Sequence, residues 1–325
     1  MANNPFKALT IAATAAVGVA SAAYGAQKIM MNSLSKTEVD FEFQVEEQLF
    51  ITATDGTKLV VYRDGPKDST KPTLVFLHGY ALCAPIWAYQ FDLLREEYDL
   101  VAIDLRGHGA SEYADEDEFV LRNFADDLVC VIDQLGLEDI VLVGHSTGGV
   151  VSMAYLEYFS DHARDHVRGL CLVSTLAHPP YHHVEPIGEA MAKFSLTGQL
   201  FHVVADIPLI GFPMSRFALG KKASNSVAEF VRRSIVSTDR HVCANVLRML
   251  ASFNFSETLR NYIGPSMVIV GTSDPVTPLD DSQRMADYLG GKEIVIEDVG
   301  HAPMLESPDE FNAALSEFLA KITTL

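Results

Sequence analysis

Gly144-His145-Ser146-Thr147-Gly148 sets one serine between two glycines, directly behind the apolar run 140–143. A strand that ends in a sharp turn into a helix holds such a serine in a strained conformation, with its hydroxyl exposed at the sheet's edge. The flanking glycines leave room for backbone that passes close to both. A serine hydroxyl is a poor nucleophile at neutral pH. It needs a base, and the base needs an orienting acid. In a strand–turn–helix site the chain order is serine, acid, histidine. Asp274 closes MVIVGTSD (267–274), at a strand tip, and His301 follows IVIEDVG just past the next strand. Strand ends on one edge of a parallel sheet lie side by side, so Ser146, Asp274 and His301 converge.

Each member has rivals. Asp280 and Asp298 are the other acids in reach, but neither sits at a strand tip, and Asp274 before Pro275 could merely cap a turn. His108, His145, His178, His182 and His183 are the competing bases. His145 adjoins the serine, but its side chain points away from the hydroxyl. The developing oxyanion needs donors. The backbone N–H of Thr147, at a helix N-terminus, is one. The backbone N–H of Tyr80, in the loop after TLVFLHG (73–79), is the candidate for the other, which leaves His78 to shape that loop.

The elements that must position these groups follow from the apolar pattern. FITATDGTKLVVYRDG (50–65) has two β-rich runs around Asp55-Gly56, a hairpin signal. TLVFL, the run after Tyr98, IVLVGH, VRGLCLV (167–173), MVIVG and KEIVI are buried strands. Helical spacing marks 119–135, a run from Gly149 to about Tyr158, and the closing segment 308–322. Continuous Val/Ile/Leu strands alternating with helices mean an α/β fold: a mainly parallel sheet with helices on both faces. Segment 176–258 has helical pieces, prolines and glycines but no clear strand. It reads as a helical lid inserted into a core made of 45–175 and 259–325.

Taken together, LHGY (77–80), DLRGHGAS (104–111), GHSTGG (144–149), GTSDPVTP (271–278) and VGHAPMLESP (299–308) resemble the α/β-hydrolase superfamily, in its serine-nucleophile, esterase- and lipase-like branch. The match runs from about residue 45 to the C-terminus in the family's order. The resemblance implies a triad of Ser146, Asp274 and His301, with Tyr80 and Thr147 lining the oxyanion hole. It also implies structural roles for Asp104, Arg106 and Glu306. Serine at the turn departs from the epoxide hydrolases and haloalkane dehalogenases, which use aspartate there. The expected reaction is hydrolysis of a carboxylic ester through an acyl-enzyme. The same triad serves carbon–carbon bond hydrolysis and cofactor-free perhydrolysis in similar proteins, and a non-catalytic binding protein of this fold is the third reading. A basic pocket residue for a substrate carboxylate would favour carbon–carbon hydrolysis, and Arg216, Arg232 and Arg233 are the candidates.

Phe194, Phe201, Leu209, Ile210, Phe212, Met214 and Phe217 give the inserted segment apolar surface, which points to a small-molecule ester with an apolar acyl or alcohol part. The chain has 325 residues, 48% of them apolar, enough to bury a sizeable core. Its net charge of −19 repels phosphate backbones and argues against nucleic acid as a partner. Part of that charge sits in EYADEDEF (112–119), which reads as a solvated loop. Cys83, Cys130, Cys171 and Cys243 lack metal-like or paired spacing, so neither a disulfide framework nor a structural metal is expected. The histidines of HPPYHHVE (178–185) lack carboxylate and cysteine partners at ligand spacing. The expected chemistry needs no cofactor.

Residues 8–27 carry no charged side chain and follow a short start with one lysine. Two readings stand: a cleavable signal peptide ending near Ala20-Ser21-Ala22, or an anchor just long enough to span a bilayer. Alanine dominates the segment, so insertion is weakly driven. Residues 1–31 are therefore expected to direct membrane association or export. Fractionation of cells expressing the full chain checks this. The protein is expected with membranes or outside the cytosol, and full-length protein wholly in the cytosolic fraction with an intact N-terminus contradicts it.

Overall fold

The computed structural model describes residues 43–113, 119–179 and 195–323. Segment 8–27, positions 114–118 of the acidic loop, Phe194, His182 and His183 lie outside the described residues. Eight strands form one sheet: β1 Glu47–Thr52, β2 Lys58–Asp64, β3 Thr73–Leu77, β4 Leu100–Ile103, β5 Ile140–His145, β6 Val167–Val173, β7 Ser266–Gly271 and β8 Lys292–Ile296. Their spatial order is β1-β2-β4-β3-β5-β6-β7-β8. The hairpin β1–β2 is antiparallel and β2 meets β4 antiparallel, while every later pairing is parallel.

Twelve helices are described: α1 Ala88–Leu94, α2 Leu121–Leu135, α3 Thr147–Tyr158, α4 Ser160–His166, α5 Ser195–Asp206, α6 Pro208–Phe217, α7 Asn225–Ser237, α8 Arg240–Met249, α9 Ser256–Asn261, α10 Leu279–Leu289, α11 Pro303–Glu306 and α12 Pro308–Thr323. They cover both faces of the sheet, so β3, β4 and β5 are buried along their length. Side chains alternate between two cores. Val75, Leu77, Val101 and Ile103 pack with Phe124, Val131 and Tyr155 of α2 and α3. Leu74, Phe76, Leu100 and Ala102 pack with Trp87, Phe91 and Phe311 on the other face.

The chain lays β4 on one side of β3 and then crosses to place β5 on the other. That reversal opens a crevice at the carboxyl ends of β3 and β5, the usual ligand position in such sheets. Tyr80 follows β3 and Ser146 follows β5, so both sit at its mouth.

Helix α3 starts at Thr147, two residues before the position that periodicity indicates, because the turn is completed by Ser146 alone. Helices α1 and α4 are seven residues each, too short to leave a periodic signal, and α10 opens on two exposed residues, Leu279 and Asp280. Between β6 and β7 the described residues hold α5 to α9 and no strand. Helix α9 straddles the expected boundary at 258 and packs on α3 and α10.

Polar staples hold the loops at the sheet's carboxyl edge. Arg106, after β4, is 1% exposed; it donates to both oxygens of Asp127 on α2, at 2.7 and 2.5 Å, and to Asp55 of the hairpin turn at 2.7 Å. Asp104 accepts from the N–H of Ala84 and of Ala110 and from the Tyr62 hydroxyl. No helix among the described residues is long and apolar enough to cross a membrane.

Candidate active site

Ser146 takes φ 50° and ψ −116°. A non-glycine residue at positive φ costs on the order of 1–3 kcal/mol and persists only where the surroundings enforce it. Here they do. The Ser146 N–H donates to Val173 O at 2.9 Å, and the Thr175 hydroxyl donates to Ser146 O at 2.7 Å. A Cβ at position 144 would lie 2.7 Å from Gly148 O and Gly149 Cα, and one at position 148 would lie 2.3 Å from Leu77 O. Both flanking glycines are thus fixed by close backbone approach, as the motif's spacing suggests.

Ser146, His301 and Asp274 form one hydrogen-bonded line. Ser146 Oγ is 3.0 Å from His301 Nε2, and His301 Nδ1 is 3.0 and 3.2 Å from the two oxygens of Asp274. Asp274 lies in the loop after β7, and its side chain is fully buried. Its carboxylate also accepts from the N–H of Val276 at 2.8 Å, the N–H of Thr277 at 3.0 Å and the Thr277 hydroxyl. Burial works against its charge, but His301 and these donors outweigh burial and hold its pKa at about 2. Burial also works against a charged His301, yet the Asp274 carboxylate beside it, with Glu306 further off, raises it above the ordinary 6.5.

The backbone of His301 is pinned at both ends. Its N–H donates to Ala218 O, just past α6, at 2.9 Å. Its C=O accepts from His145 Nε2–H at 2.7 Å. Glu306 fixes the same loop by accepting from the N–H of Gly220, Gly300 and Ala302 at 2.6, 2.9 and 2.9 Å. His145 therefore positions the histidine loop rather than serving as base, and burial holds its pKa at about 3. His78 is also buried and neutral at about 4; it accepts from Leu105 N–H and donates to Gly79 O, so it shapes the Tyr80 loop. His108 faces Arg106 O, and His178 faces Asp281 at 3.6 Å. Asp298 pairs with Lys221 and Asp280 is exposed, so neither meets His301.

The Tyr80 loop passes beside the serine: a Cβ at Gly79 would lie 3.1 Å from Ser146 Cβ. Thr147 opens α3, where the first N–H groups have no partner within the helix. The amides of Tyr80 and Thr147 thus flank the serine from two elements. Above them a small apolar cluster joins Ala81 to Ala205, Ile235 and Cys243 of the inserted helices, with Tyr80 and Met214 packed on it. Phe212 is turned to the core, whereas Ile210 and Phe217 are exposed. Arg216 donates to Gly220 O, and Arg232 and Arg233 both pair with Glu229, so all three are engaged within the insertion.

The pins His145, Ala218 and Thr277 were not foreseen. His145 directly precedes Ser146 and Thr277 follows Asp274 by three residues, both within the motifs that carry the resemblance. Ala218 acts through its carbonyl and leaves no trace in the sequence.

The sequence model described as the alpha/beta hydrolase fold matches residues 72–308. A 3-oxoadipate enol-lactonase of Acinetobacter baylyi is 24% identical over 84% of this chain and 97% of its own length. A bifunctional esterase/perhydrolase of Acinetobacter calcoaceticus is 28% identical over 83% of this chain and 99% of its own. Among solved structures, a thermophilic esterase of Thermogutta terrifontis is similar with TM-score 0.69 and 26% identity, over 85% of this chain and 99% of that one.

The pairing of His301 with Asp274 has a direct signature. By NMR titration the His301 imidazole is expected to titrate above 6.5, and Asp274→Asn is expected to lower that value, because only the more distant Glu306 then opposes burial. An unchanged value in Asp274→Asn contradicts the coupling.

Proposed function

The chain belongs to the alpha/beta hydrolase fold family, and on that premise we propose that it is a serine hydrolase of carboxylic esters with an apolar acyl or alcohol part. The observation that carries this reading is the line from Ser146 Oγ through His301 to Asp274, with both contacts at 3.0 Å. In the first step His301 takes the Ser146 proton and the serine oxygen attacks the ester carbonyl. The amides of Tyr80 and Thr147 hold the oxyanion, each worth on the order of 100- to 1,000-fold in turnover. Asp274 stabilises the imidazolium, which then protonates the leaving alcohol. Water resolves the acyl-enzyme with His301 again as base.

Helices α5 to α8 serve as the cap over this cleft, and the cluster of Ala81, Met214, Ile235 and Cys243 supports an apolar occupant. The pairing of Arg216, Arg232 and Arg233 inside the cap weighs against a substrate carboxylate, and hence against the carbon–carbon hydrolase reading. Perhydrolysis stays as a second reading because one relative is a bifunctional esterase/perhydrolase. There hydrogen peroxide replaces water as the acceptor of the acyl group.

p-Nitrophenyl esters of increasing acyl length test the proposal. A burst equal to the enzyme concentration and then steady turnover are expected. Ser146→Ala is expected to lower kcat by about 10,000-fold or more. Turnover that survives Ser146→Ala contradicts the reading. Peracid formation on adding hydrogen peroxide would establish the second activity.

A further inference from the structure

The amino edge of the sheet, opposite the crevice, carries a second group of chemically capable side chains. His162 and His166 lie one turn apart on α4, and Asp133 lies on the last turn of α2. One ligand atom from each lies within 4.8 Å of the others. His162 Nε2 is 3.0 Å from Asp133 Oδ1, and the two imidazole rings stack with centroids 4.1 Å apart.

The other ring nitrogens are already committed. His166 Nδ1 is 2.8 Å from His162 O. A carbonyl only accepts, so Nδ1 carries the hydrogen and Nε2 keeps its lone pair. His162 Nδ1 is 2.7 Å from the hydroxyl of Tyr155 on α3. The hydroxyl oxygen can receive an Nδ1–H. An imidazole that donates through one nitrogen to a fixed oxygen and presents the other is the usual preparation of a histidine ligand.

We infer that Asp133, His162 and His166 form a binding site for a divalent transition-metal ion of the zinc class. Two imidazole nitrogens and one carboxylate oxygen leave the fourth tetrahedral position for water. At zinc distances neighbouring ligand atoms stand about 3.3 Å apart, close to the spacing of His162 and Asp133. Calcium and magnesium prefer all-oxygen sets, so they fit poorly. For the ion to bind, the hydrogen that His162 Nε2 shares with Asp133 moves to Nδ1 and faces the Tyr155 oxygen, whose own hydrogen turns away. A neutral imidazole thus binds with no net proton loss. Asp133 is 60% exposed, so the ion can enter from solvent, and a net charge of −19 favours its approach.

The site ties the end of α2 to α4 and, through Tyr155, to α3. His166 directly precedes β6, whereas Ser146 bonds to Val173 at that strand's far end. About 20 Å of strand separates the two sites, so the ion acts on the fold and not on the ester.

Zinc titration of the untagged full-length chain, by isothermal calorimetry and thermal unfolding, tests the site. One saturable equivalent is expected, with a Tm gain of about 5 °C at a hundredfold excess over Kd. Asp133→Asn and His166→Gln are each expected to weaken binding at least tenfold and to cut the gain in Tm to about half or less at the same zinc concentration, while magnesium gives none. The Asp133 side chain is exposed, so that variant keeps the fold even if a histidine variant does not. No saturable uptake by the wild type, or uptake that both variants retain, overturns the proposal.

Discussion

Ser146 can stand at positive φ only because nothing at positions 144 and 148 carries a side chain. The turn brings Gly144 against the start of α3 and Gly148 against the end of β3. If either gained a Cβ, backbone would have to move and β3, β5 and α3 could not meet as they do. The Tyr80 loop adds a third approach, since Gly79 lies against Ser146 itself. One geometrical demand, a hydroxyl raised clear of the sheet between strand and helix, thus fixes three glycines and the packing of two strands on a helix. It also sets the N-terminus of α3 directly behind the serine.

A raised serine is inert without a histidine held at hydrogen-bond distance, and that histidine stands on a loop. Loops move unless their backbone is tied. The His301 loop is tied from three sides: Ala218 from the insertion, His145 from β5, and Glu306 from α11 through three amides. Replacing buried hydrogen bonds to a carboxylate is costly, so the Glu306 cluster couples the insertion to the histidine as one unit. The electrostatics follow the same division. His78, His108 and His145 are driven neutral by burial and serve as fixed hydrogen-bonding pieces. Among these four only His301 is hydrogen-bonded to a buried carboxylate, and it alone is raised.

The chain states some of this openly. The hairpin at Asp55-Gly56, the Val-rich strands, and the order serine, acid, histidine are local patterns, so they were legible before any coordinates. The burial of β3 to β5 follows from their unbroken apolar runs. What stayed hidden depends on contacts between distant segments. Nothing near Ala218 signals that its carbonyl meets His301, and Arg106 gives no hint of choosing Asp127 over its many acidic neighbours. The arginines of the insertion looked like candidates for a substrate carboxylate until Glu229 and the Gly220 carbonyl proved to be their partners. The histidine pair at 162 and 166 has a helical spacing that could be read from the sequence, but α4 is too short to mark itself as a helix.

The account rests on Ser146 being activated by His301 and Asp274 together. Reaction with a fluorophosphonate, followed by peptide mass spectrometry, reports that activation without any choice of substrate. The account predicts one adduct per chain, on Ser146, formed quickly at pH 8 and at least about 1,000-fold more slowly in Asp274→Asn. An adduct on another residue, no adduct, or a rate indifferent to Asp274→Asn would contradict it.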